Sequence, residues 1–303
     1  MTSTVLWTLW NNNTCSFNIP VTEHSGRNIL LKMKKVERNS YFEIPQGLYP
    51  VGMTDDEIRS ILADRSFTGP AINSTYLYNS YPRHDVELQS CHVSKKLTVY
   101  DDFKAFIAET GYRTEAERDG WGWVWGNQWE KKRDVSWNAP FMNDDDILYR
   151  EYGALVPVLQ VSCNDAEEYC RYKSNITGEK VRLPSEWEWE AMVQLYEIKL
   201  RDMQGLQSDS RVENKSFMHV LIDIAHENRS FHPTGLVWEW TINWFRQYPG
   251  GPANTEFGET YKVLRGGSLM SMPVQKNPAY RFRRCPTARS PYYGFRTCLE
   301  NND

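Results

Sequence analysis

Apolar positions along this chain come in short, interrupted bursts rather than in long periods. In "YFEIPQGLYPVGM", Phe42, Ile44 and Leu48 stand between proline and glycine punctuation, which predicts a strand and a tight turn. The "TDDEIRSIL" that follows predicts a short helix, because Thr54 and Glu57 form a capping box with acidic residues in the first turn. A strand and then a helix starting near Thr98 are expected next, with Phe103, Phe106 and Ile107 inward and Gly111 as the stop. From 112 to 160 no regular period is visible, and the stretch reads as a long aromatic loop whose tryptophans argue against disorder. "VLQVSCNDAEEYCRY" predicts a strand running into a helix capped by Ser162, and "LPSEWEWEAMVQLYEIKL" a helix with Ser185 and Glu188 as its capping box. "SFMHVLIDIAH" fits a helix or a buried strand, since a short apolar run does not separate the two. The remaining pieces, "GLVWEWTINWF", "KVLRGGS", "YRFRR" and "GFRTC", are short and strand-like. The outcome is a mixed α+β chain of low regular structure, with an extension over 1–40 and one domain over 41–303.

Composition narrows the function classes. The 303 residues include 12 Trp and 17 Tyr, and such large flat side chains suit a core that fills gaps between loops. A net charge of -4 leaves no basic footprint for phosphate contacts, so nucleic acid is not an expected partner. No apolar run reaches the roughly 18 residues of a membrane helix, and the opening "MTSTVLWTLWNNNTC" lacks the features of a signal peptide, so a soluble, cytoplasmic chain is expected. Six cysteines at 15, 91, 163, 170, 285 and 298 are too irregular for a disulfide scaffold or a CxxC zinc site. Sequons at Asn73, Asn175, Asn214 and Asn228 read as chance.

Taken in order, "GYRTEAERDGWGWVW", "VPVLQVSCNDAEEYC", "VRLPSEWEWEAM", "GLVWEWTINWF", "VLRGGS" and "RFRRCPTARSPYYGFR" resemble the formylglycine-generating enzyme family, also called sulfatase-modifying factors. The resemblance spans about residues 40–299 and implies that family's variant of the C-type-lectin fold. Physical chemistry makes sense of the motifs as scaffold. Arg182 can pair with an acidic neighbour, alternation in "VWEW" sends Glu239 to one side and Trp238 and Trp240 to the other, and the glycines of "RGGS" let backbone pass closely. A buried Glu239 needs an arginine or a cation as partner.

The resemblance also marks what is missing. The family's oxidases hold copper(I) on two cysteines, the soft donors that ion prefers, and the matching positions here are Ser271 and Ala279. Copper is therefore not expected. The family's calcium site maps onto Gly235, Val237 and Glu239, but Leu236 replaces its usual Asn and His232 the upstream one, so calcium and a salt bridge are equally open expectations. The resemblance pairs Cys170 with Cys298 in secreted relatives; a cytoplasmic chain would keep them reduced. Scattered histidines, at 84, 92, 219, 226 and 232, read as surface or core residues rather than iron ligands, and "NDDDI" at 143–147 as solvated loop.

Three functions remain. The leading expectation is an accessory protein that binds a protein, peptide or small-molecule ligand along the family's substrate groove, through Trp121, Trp123, Trp125, Trp129, Arg283, Tyr292 and Tyr293, with Leu269–Pro278 as a contact-making loop. The second is an enzyme of altered biosynthetic chemistry, for which Ser268, Ser271, Tyr280 and Arg281 are the catalytic candidates. The third is a receptor-binding variable protein of a diversity-generating retroelement, which uses the same fold.

Overall fold

The computed structural model describes residues 36–64, 73–196, 216–227 and 235–301, so most of the predicted N-terminal extension lies outside the described residues. In chain order the strands are β1 (Tyr41–Ile44), β2 (Gly47–Val51), β3 (His84–Leu88), β4 (Cys91–Ser94), β5 (Trp121–Trp125), β6 (Trp129–Arg133), β7 (Val181–Arg182), β8 (Trp238–Trp244), β9 (Lys262–Arg265), β10 (Phe282–Arg284), β11 (Tyr293–Gly294) and β12 (Cys298–Glu300). The helices are α1 (Asp55–Ala63), α2 (Ser74–Tyr78), α3 (Tyr100–Thr110), α4 (Glu115–Asp119), α5 (Asp145–Glu151), α6 (Cys163–Thr177), α7 (Glu186–Leu195) and α8 (Phe217–Glu227). One four-stranded sheet runs β1-β4-β12-β7 and a second β10-β9-β8-β11, while β2-β3 and β5-β6 are separate two-stranded ribbons. Among the described residues only β11 against β8 is parallel; the other pairings are antiparallel.

Local chemistry sets the helix starts. Thr54, Ser162 and Ser185 each accept from the backbone N–H three residues on, and the acidic residue there reaches back, so both predicted capping boxes form and the expected Ser162 cap proves to be a third. Helix α3 begins at Tyr100, close to the expected Thr98, with Val99 preceding it and no side-chain cap. The 112–160 expectation needs correction: the supposed loop contains α4, the β5-β6 hairpin and α5. Its strand signal was inverted: Trp121, Trp123 and Trp125 lie half-exposed on one face, while Gly122 and Val124 point inward. A Cβ on Gly122 would come within 2.5 Å of Val135, which is why the inward position carries no side chain. The acidic run 143–147 opens α5, and Asp146 is buried, accepting from the N–H groups of Phe141 and Met142. The ambiguous apolar run near 220 is helix α8, with Met218, Leu221 and Ile224 buried.

The main core gathers α3, α6, α8 and the inner face of the β8 sheet around Phe103, Tyr169, Trp238, Trp240 and Phe295. A second cluster lies between α7 and the β1-β4-β12 strands, where Trp189, Met192 and Val193 meet Phe42, Ile44, Val93 and Cys298. Helix α7 thus joins the two sheets. That placement puts its glutamates inside the protein, where each needs a counter-charge.

Candidate functional site

Three arginines supply those charges. Glu186 holds Arg281 through two hydrogen bonds of 2.7 and 2.9 Å and also accepts from Tyr248. Glu188 takes both terminal nitrogens of Arg182 at 2.7 Å; burial pushes its carboxyl up, but Arg182 and the Ser185 cap hold it below the usual range. Glu190 pairs with Arg265, both fully buried. Arg265 also donates to the carbonyls of Ala279 and Tyr280, so the arginine of "RGGS" fixes the backbone just before β10. The glutamates at 186, 188 and 190 tie β7, β9 and the residue preceding β10 to one helix.

Glu239 completes the set. Its carboxylate accepts from Arg296 at 2.5 and 2.8 Å and from the Trp189 indole at 2.8 Å, and it is wholly buried. The salt-bridge alternative is the one this geometry takes. The residues present do not fit calcium: both Glu239 oxygens serve a guanidinium, the Leu236 side chain has no oxygen and its carbonyl accepts from the Leu269 N–H, and His232 lies outside the described residues. Gly235 and Val237 remain buried beside it as part of the turn into β8.

The Gly266–Gly267 pair follows β9, with φ of +93° and +74°. A Cβ on Gly266 would meet the Trp189 ring at 2.9 Å, and one on Gly267 the stem of Lys276 at 2.9 Å. Beyond it the chain makes a closed turn in which the Ser271 hydroxyl accepts from the Ser268 N–H and bonds the Ser268 hydroxyl at 3.2 Å. Ser268, Ser271, Tyr280 and Arg281 are all buried, and burial pushes the Tyr280 phenol well above its ordinary range, the wrong direction for a proton donor at neutral pH. Neither Ser271 nor Ala279 offers copper(I) a soft ligand, and Cys285 is buried and disulfide-bonded. Cys170 and Cys298 are free and buried; the sulfur of Cys298 lies near those of Cys91 and a Glu188 oxygen instead.

The 269–278 loop expected to make contacts is mostly closed off. Met270 is exposed, but Val274, Gln275 and Lys276 are buried, and Gln275 caps Met272 from inside. Lys276 is the residue that sequence reading missed. Among the described residues no neighbouring charge offsets its burial, which alone lowers the amine to about 8. No motif signals this; the one clue is a lysine within the segment that bears the family's cysteines.

On the hairpin, Trp121, Trp123, Trp125 and Trp129 are half-buried, with Arg289 3.9 Å and Lys131 4.1 Å from the Trp121 ring and Trp129 edge-on to Tyr292 at 5.7 Å. Tyr292 is also packed by Phe217 of α8 at 5.0 Å, and both Tyr292 and Tyr293 are buried, so these tyrosines support the aromatic face from beneath rather than form it. Arg283 is buried as well, paired with Glu256 and stacked over Tyr76 and Phe245. The histidines stay apart: His84 bonds the Pro82 carbonyl, His219 bonds Ser216 and His226 packs on Tyr152.

The order of these motifs matches a family model over residues 31–194 and 231–301, that of the sulfatase-modifying factor enzyme 1-like domain. The chain belongs to this family. The unmatched interval between the two stretches contains α8, consistent with an insertion on the family frame. Formylglycine-generating enzyme of Mus musculus is 25% identical over 85% of this chain and 74% of that protein. Among solved structures, PvdO from Pseudomonas aeruginosa (19% identity, TM-score 0.50, 86% of this chain and 94% of that one) and Treponema denticola variable protein 1 (15%, 0.51, 86% and 95%) share the fold, and at those identities the likeness is one of fold alone. Among the described residues no helix is long and apolar enough to cross a membrane.

Proposed function

We propose that this protein is a sulfatase-modifying-factor relative without copper-dependent formylglycine-generating activity, acting as a binding or accessory protein. The observation that carries the reading is the pair Ser271 and Ala279, which stand where the oxidases hold copper(I) and are sealed into a turn and a core. Binding then falls to the half-exposed tryptophans of the β5-β6 hairpin, large rigid rings that order at little entropic cost. The partner class is a protein or peptide. A phage-displayed random peptide library panned on wild type and on a Trp121→Ala/Trp125→Ala variant tests this. Wild type should enrich peptides that the variant binds at least tenfold more weakly, about 1.4 kcal/mol. Equal capture by both proteins would remove the hairpin from the account.

A second reading, an enzyme of altered chemistry, is supported by Lys276. Its aliphatic stem packs against Gly267 and its amine, lowered to about 8, is partly neutral at physiological pH. Such an amine can add to a carbonyl compound, whereas the buried Ser268, Ser271 and Tyr280 are engaged with one another or with Gln275.

A further inference from the structure

A cavity of 620 Å³ opens between β3 and the end of β8, away from the tryptophan hairpin. Its floor is the Glu186–Arg281 ion pair with Tyr248, three buried side chains whose charges cancel. One wall is apolar and partly open to solvent: Trp187, Ile242 and Trp244. Opposite, β3 presents Asp85 and Glu87, both exposed and without an ion pair among the described residues. The lining's cations are already matched, Arg281 by Glu186 and Arg246 by Glu259, so the two free carboxylates leave the mouth negative. His84 lines the same side, with Nδ1 against the Pro82 carbonyl and its ring 4.6 Å from Tyr248.

The backbone adds to this. Among the described residues strand β3 pairs with β2 alone, leaving its second edge without a partner strand. Indole faces and an aliphatic side chain beside free carboxylates suit the stem and charged head of lysine or arginine. An unpaired strand edge suits the main chain of an extended peptide.

From these observations we infer that the β3–β8 cavity binds an extended basic peptide segment, with a lysine or arginine side chain laid along Trp187 and Trp244 and its charge at Asp85 and Glu87. This inference does not rest on the hairpin reading, since the two sites share no proposed contact residue. The probe is a fluorescein-labelled peptide of alternating lysine and valine, titrated with the full chain and followed by fluorescence anisotropy. Saturable binding that weakens with salt is expected. The exposed double substitution Asp85→Asn/Glu87→Gln should weaken it about fivefold without moving the melting temperature, and acetylating the peptide lysines should do the same. Trp187→Ala, which removes the ring along which the side chain would lie, should weaken it further, whereas Trp121→Ala on the hairpin should leave it unchanged. Absence of saturation up to about 1 mM, or equal affinity for the acetylated peptide or the double variant, overturns the proposal. Loss with Trp121→Ala instead would place the peptide on the hairpin and overturn the cavity assignment.

Discussion

A Glu239→Ala protein should unfold at markedly lower urea concentration than wild type, losing about 3–5 kcal/mol. The carboxylate neutralises Arg296, fully buried, and accepts from the Trp189 indole, so its removal strands a guanidinium and an N–H in the core. Part of that loss belongs to the uncompensated charge rather than to the pair. A Glu239→Ala/Arg296→Met double variant should therefore recover some stability relative to Glu239→Ala alone. An unchanged midpoint for the single variant would mean that the carboxylate is solvated, contrary to its complete burial.

Gly266→Val should be comparably damaging, about 3 kcal/mol or more, from two additive causes. The backbone there sits at φ +93°, which L side chains rarely adopt, and a Cβ would lie 2.9 Å from the Trp189 ring, itself held by Glu239. Gly111 supplies the control: its φ is +69°, but nothing lies within 4 Å of a Cβ, so Gly111→Ala should cost only about 1 kcal/mol. Chemical denaturation of both variants separates conformational strain from collision. Equal losses would show that the ring contact at Gly266 contributes nothing.

Those two sites indicate what the sequence could and could not convey. Capping boxes at Thr54 and Ser185, and the cap at Ser162, were legible because the residues that form each lie within four positions. The inward course of Glu239 followed from strand alternation, but its partner Arg296 is 57 residues away and alternation carries no information on that. The hairpin at 121–133 escaped because its apolar face is turned partly outward, so hydrophobicity did not alternate in the usual sense. Ser268, Ser271, Tyr280 and Arg281 looked available as isolated residues of a loop; closure of the 268–271 turn and the pairing of Arg281 with Glu186 are tertiary facts. The β3–β8 cavity had no signature at all, since its walls come from segments about 155 residues apart whose residues look like ordinary surface.

Turnover is the most direct measure of whether the family frame persists here without its oxidase chemistry. Purified protein would be incubated with copper(I), oxygen and a cysteine-containing sulfatase peptide, and the peptide examined by mass spectrometry for formylglycine. With Ser271 and Ala279 in place of the thiolate pair, no conversion above the protein-free control is expected. Formylglycine that accumulates with time and enzyme concentration would contradict the account.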